Sequence, residues 1–153
     1  MSDLDLRRAY ADEIVALAGT DWPPLRAAFA AVLRERFVGP GPWKLLSAGM
    51  DGYQDTADDD LSHIYSNVLV ALDPAKGLNN GEPRFWAWLF ERLRPQPGER
   101  AIHVGAGTGY YSALLAELVG AAGQVAAFEF EPDLAARAAA NLGDRRNVSV
   151  HAG

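Results

Sequence analysis

"AIHVGAGTGYYSALLAEL", residues 101–118, decides how the chain is read. A short apolar run leads into glycines at 105, 107 and 109, and an apolar-rich helical pattern follows. A strand that turns through glycines into a helix offers backbone N–H groups to a ligand, with no Cβ to hold it off. Several nucleotides are bound this way. The dinucleotide fingerprint needs a third small residue where this chain has bulky Tyr110, which disfavours a nicotinamide or flavin dinucleotide. A P-loop is excluded more firmly, because no Gly-Lys-Ser/Thr follows the turn. Glu129, 20 residues beyond Gly109, falls at the end of the next apolar run, where a carboxylate can accept both hydrogen bonds of a ribose diol. The ligand class that remains has a ribose and lacks a pyrophosphate.

Working outward, the pattern predicts a strand over 100–105, a helix over 109–119, a strand over 124–129, a helix over 132–141 and a strand over 147–151. Alternation of this kind implies parallel pairing with right-handed crossovers, so the fold class is α/β, a partial doubly wound, Rossmann-like sheet. A preceding helix carries Phe85, Trp86, Leu89, Phe90 and Leu93 on one face, and "RPQPGE" ends it. The N-terminal region is expected to be α-helical. Residues 3–18 place Leu6, Tyr10, Ile14 and Leu17 on one face. A second helix in "TDWPPLRAAFAAVLRERF" is capped by Thr20 or Asp21, with Leu25, Phe29, Val32 and Leu33 sharing a face. From 39 to 82 the pattern is irregular, and only "YSNVLVAL" at 65–72 reads as a strand. The expected division is 1–82 and 83–153.

With 153 residues and 49% hydrophobic content the chain has the size and composition of one globular domain. The net charge of −6 provides no basic field for a nucleic-acid backbone. The absence of cysteine removes disulfides, thiolate nucleophiles and Cys-ligated zinc together. "MSDLDLRRAYADEIV" has acids where a signal peptide needs bases, and no apolar run approaches the ~20 residues of a membrane span, so the expectation is a cytoplasmic protein without membrane contact. Asp58, Asp59 and Asp60 read as a solvated loop, and no metal site is expected there.

The stretch from "LRPQPGERAIHVGAGTGYY" through "FEFEPDLAARAAANL", followed by "NVSVHAG", resembles the core of class I S-adenosylmethionine-dependent methyltransferases. It is most similar to the protein-L-isoaspartate O-methyltransferase family. "AAFAAVLRERFV" resembles that family's N-terminal helix and its exit, and "NNGEP" at 79–83 falls at its substrate loop. The resemblance implies S-adenosyl-L-methionine as cofactor and a peptide or protein carboxylate as methyl acceptor. The backbone at Gly105, Ala106, Gly107 and Gly109 would pass around the methionine part, Glu129 would hold the ribose, and Phe130 would lie beside the adenine. Tyr110 and Tyr111 would either wall that pocket or pack in the core. Such chemistry asks for no base, since a carboxylate is already ionised at pH 7, and positioning supplies the rate.

Three departures from the family pattern stand out. The family's loop serine and threonine fall at Gly81 and Asn79, so Asn79 and Asn80 are left to donate amide hydrogen bonds, with Asn80 equally suited to cap the next helix. The usual acid two residues before Gly105 is His103, which is either a structural histidine at the strand end or a cofactor neighbour whose protonation would repel the ammonium and weaken binding as pH falls. The family continues past position 153 with further strands, which implies half a sheet here: a truncated or split gene product, a fragment, or a domain that a partner chain completes. A catalytically inactive, cofactor-binding fragment and a nicotinamide-dependent half-domain are the alternative expectations.

Overall fold

A computed structural model describes all 153 residues. The chain forms two compact units, Met1–Glu91 and Arg92–Gly153, so the boundary expected at 82/83 shifts to 91/92 and the helix that follows residue 82 clusters with the N-terminal unit. No helix is long and apolar enough to cross a membrane.

In the first unit, α1 (Asp3–Leu17) starts with a capping box in which Ser2 Oγ accepts from the Asp5 N–H and the Asp5 carboxylate accepts from the Ser2 N–H. Its buried stripe is Tyr10, Ala11, Ile14 and Val15, and Leu17, expected on that face, is exposed. The second predicted helix is split. α2 covers Pro23–Ala31 with Trp22 as its N-cap, the extended backbone of Val32 ends it, and a single turn, α3 (Glu35–Val38), follows. The break delivers Arg34 into the core, where it is fully buried and its donors reach oxygens far along the chain, so a tertiary demand overrides the local helical pattern.

The expectation of an irregular 39–82 is overturned. β1 (Lys44–Leu46), β2 (Gln54–Asp55), β3 (Leu69–Asp73) and β4 (Leu78–Asn79) form an antiparallel sheet in the order β2-β1-β3-β4. Strands of two or three residues are too short to show a period of two, which hides them in the sequence. β3 starts at Leu69 rather than at 65 because 64–68 is a turn whose carbonyls face Arg34. In the acidic loop, Asp58 accepts from the Asp60 N–H at 3.1 Å and pairs with His63 at 2.7 Å, while Asp60 caps the turn at Ser62. These bonds to the charged form hold both carboxyls below their ordinary pKa.

α4 (Pro83–Leu93) buries Pro83, Ala87 and Phe90. The expected single apolar face is thereby corrected: Phe85 and Leu93 are exposed, and Phe85 stacks on Trp88 at 6.0 Å on the outer side of the helix.

The second unit matches the predicted order closely: β5 (Arg100–Val104), α5 (Tyr110–Val119), β6 (Gln124–Glu129), α6 (Pro132–Leu142) and β7 (Val148–Ala152). The strands pair in parallel in the order β5-β6-β7, with His103 beside Ala127 and Ala127 beside Val150. α5 is buried almost all round, from Tyr110 to Val119, and α6 buries Leu134, Ala135, Ala138 and Leu142. His103 and Ala127 are buried on one sheet face, whereas on the other Ile102 and Val104 lie open and Phe128 stacks on His151 at 4.7 Å.

Candidate functional site

The glycine turn joins β5 to α5, with Gly105, Gly107 and Gly109 all at positive φ. Its N–H groups are not left free, contrary to the general expectation for such a turn. Gly105 and Ala106 both donate to the Phe128 carbonyl at 2.9 Å, Gly109 donates to Ala106, and Gly107 donates to Glu129 Oε2 at 2.7 Å. A phosphate at this turn would find these four donors already engaged. What it offers a ligand is bare backbone beside a carboxylate. A Cβ built on Gly105 meets nothing within 4 Å, so ligand atoms have room to approach there.

Gly109 has a different task. A Cβ there would lie 2.6 Å from Leu142 Cδ1, so the third glycine is what allows α6 to pack against the turn. The packing role that the dinucleotide fingerprint gives to a small residue at Tyr110 is filled one position earlier. Asn141 of α6 adds a 3.0 Å bond to the Thr108 carbonyl. Tyr110 and Tyr111 are both buried and meet edge to face at 4.9 Å, which fills the packing role expected of them.

Glu129 ends β6 as expected, 7% exposed. One carboxylate oxygen holds Gly107 N–H and the other accepts from the Glu131 N–H at 2.8 Å. Each oxygen keeps a further lone pair for a ligand hydroxyl. Phe130 beside it is 79% exposed, its ring bare at the strand end.

His103 is turned away from solvent and shares a 2.8 Å hydrogen bond with Ser112 Oγ of α5. Burial pushes its pKa down to about 4, against an opposing pull from Glu129. The expectation that its protonation weakens cofactor binding as pH falls is therefore confined to pH values near 4. Its effect on stability is larger. Below the ordinary pKa of 6.5 the unfolded chain takes up a proton that the folded chain refuses, so stability is complete above pH 6.5 and is lost as pH falls toward 4. At 1.36 kcal/mol per pKa unit the loss is on the order of 3 kcal/mol. Urea unfolding followed by far-UV circular dichroism across that range should show the decline, and His103→Gln should remove that share of it.

The other candidate residues belong to the first unit. Asn79 Oδ1 accepts from the Gly81 N–H at 2.9 Å, and the Asn80 N–H donates to the Val70 carbonyl at 2.8 Å. Asn80 Oδ1 accepts from Arg34 Nε at 3.3 Å and Nη2 at 3.2 Å. The capping role expected as an alternative for Asn80 falls to Asn67 instead: its Oδ1 accepts from the Arg84 N–H in the first turn of α4, and its Nδ2 donates to Glu82, both at 2.8 Å. Sequence reasoning missed Arg34 and Asn67. A cation inside the apolar stretch "AVLRERFV" was the available signal for the first, whereas an Asn in a turn gives none.

The family model described as "Protein-L-isoaspartate(D-aspartate) O-methyltransferase (PCMT)" matches residues 45–153, which takes in the short strands, the loop and the whole second unit. The chain belongs to this family. A protein-L-isoaspartate O-methyltransferase 2 of Anaeromyxobacter sp. is 32% identical over 145 residues, 95% of this chain and 50% of that one. The enzyme of Aeropyrum pernix is 56% identical over 54 residues, 35% of this chain and 21% of its own. Among solved structures, a protein-L-isoaspartate O-methyltransferase superposes with a TM-score of 0.74 at 22% identity over 96% of this chain and 42% of that one. A Plasmodium falciparum family member in complex with S-adenosyl-L-homocysteine follows at TM-score 0.65 and 17% identity, covering 93% and 60%. The α/β methyltransferase fold is thus shared. The chain spans half or less of the length of these two curated relatives.

Proposed function

We propose that this family member binds S-adenosyl-L-methionine on its second unit and transfers the methyl group to a carboxylate of a peptide or protein. The observation that carries the reading is the joint use of the glycine turn by Glu129 and the Phe128 carbonyl, which engages the Gly105, Ala106 and Gly107 N–H groups and leaves a carboxylate and bare backbone for a ribose-bearing ligand. The nicotinamide alternative is disfavoured by the family match over residues 45–153. Gly105, Ala106 and Gly107 would border the methionine part, Glu129 the ribose and Phe130 the adenine.

When bound, S-adenosyl-L-methionine supplies a methyl group on a sulfonium, and its transfer forms one C–O bond as one C–S bond breaks, with the electron pair leaving on sulfur. No proton moves, so the chain needs neither base nor metal for this step. Its own residues orient the reactants: Glu129 fixes the turn, and Asn79 and Asn80 provide carboxamide donors where the family pattern has hydroxyls. A cytoplasmic place of action belongs to the same proposal, supported by the acidic, cysteine-free composition.

Titration calorimetry with S-adenosyl-L-methionine and S-adenosyl-L-homocysteine should give saturable one-site binding, and its absence would refute the reading for this polypeptide. Mass spectrometry of isoaspartyl and aspartyl peptides incubated with the protein and S-adenosyl-L-methionine should show one added methyl. Binding without transfer would identify a cofactor-binding module.

A further inference from the structure

Arg34 is fully buried, yet it lies outside the glycine turn and outside the "NNGEP" loop. Its guanidinium gathers two stretches of chain. Nη1 donates to the carbonyls of Ile64 and Ser66, Nη2 donates to the Val68 carbonyl at 2.7 Å, and Nε and Nη2 together donate to Asn80 Oδ1. Its backbone N–H donates to the Tyr65 hydroxyl at 3.1 Å, and that hydroxyl donates in turn to Glu35. Asn67, in the middle of the same turn, ties Glu82 and Arg84 on the far side of the loop. The loop is held at Asn80 by Arg34 and the Val70 carbonyl and at Glu82 and Arg84 by Asn67 of the turn, and Arg34 holds the turn.

The chemistry of the donors fixes which way the loop amides face. A guanidinium has only N–H donors, so the Asn80 atom it contacts is the carbonyl oxygen. The Gly81 N–H likewise accepts no alternative to the Asn79 oxygen. Both carboxamides are therefore anchored through oxygen, and the NH2 is the donor end of each, that of Asn80 in a residue only 7% exposed. Two amide donors on adjacent residues suit an anionic, oxygen-rich group better than a cation.

We infer that Arg34 is a positioning residue for the methyl-acceptor loop: by holding the oxygen of Asn80 and the carbonyls of 64–68, it sets the Asn80 NH2 as a donor to the acceptor carboxylate. This rests on the proposed methyl transfer. A lysine cannot take the role, because three donors on a tetrahedral head do not reproduce a planar fork shared among four oxygens.

The test compares Arg34→Lys, Asn80→Ala and Asn80→Asp with the wild type by amide hydrogen exchange and steady-state kinetics on an isoaspartyl peptide. In Arg34→Lys and Asn80→Ala the amides of Asn80 and Gly81 should exchange at least ~10-fold faster, while those of the glycine turn are unmoved. Asn80→Asp keeps an oxygen for Arg34 and removes the NH2. Its loop should stay protected while the peptide KM rises ~10-fold or more and the S-adenosyl-L-methionine KM holds. Unchanged loop exchange in a folded Arg34→Lys overturns the positioning role, as does loss of protection in Asn80→Asp. If the wild type transfers no methyl, the proposed function falls, and the exchange data alone still decide whether Arg34 positions the loop.

Discussion

Replacing Glu129 by alanine should weaken S-adenosyl-L-methionine binding by about 10- to 150-fold, the equivalent of a 1.5–3 kcal/mol hydrogen bond to a charged group. Two losses combine. The ribose hydroxyls lose their acceptor, and the Gly107 and Glu131 N–H groups lose theirs, so the turn that borders the ligand loosens. Glutamine is a poor substitute here. It has one carbonyl oxygen for two N–H donors, so its amide would face a donor with a donor, and Glu129→Gln should also bind more weakly than wild type. Calorimetry on both variants checks this, and wild-type affinity in Glu129→Ala would remove the residue from the ribose role.

The second large effect is on folding. Arg34→Met retains much of the side-chain volume but strips the donors from three carbonyls and Asn80 Oδ1 in the core. Breaking a buried polar arrangement on one side costs about 3–5 kcal/mol, more than the added apolar area returns. The first unit should lose that much stability while the second is untouched. The molecule carries its own reporters for the distinction, since Trp22, Trp43, Trp86 and Trp88 all belong to the first unit. The urea midpoint of tryptophan fluorescence should fall sharply. A change below ~1 kcal/mol would show that water or rearranged backbone satisfies those oxygens.

The second unit was legible from the sequence almost residue by residue, because each of its strands is five or six residues long and each helix ten or eleven, enough for periodicity to speak. Glu129 could be placed at a strand end on the same grounds. Its bond to Gly107 could not, since nothing in the spacing says that a turn donor will be claimed from within. His103 could be read either as a cofactor neighbour or as a structural histidine; its burial against Ser112 fits the second, because alternation along β5 turns it to the helix-covered face. The first unit was harder. Its sheet is made of fragments, its second helix breaks for Arg34, and the contacts that shape the acceptor loop run between residues with no shared local pattern.

Arg34 stands 30 to 46 residues ahead of the Ile64, Ser66, Val68 and Asn80 oxygens that its side chain binds. On a growing chain α1 and α2 can form from local contacts while the guanidinium is still in water; the Tyr10 ring, 5.8 Å from its centre, is at hand early, whereas these oxygens arrive only from Ile64 onward. Closing that span costs loop entropy before any bond is returned. The full set of four oxygens needs the chain as far as Asn80, so the closure that completes the coordination of the buried cation also fixes the loop proposed as the acceptor site.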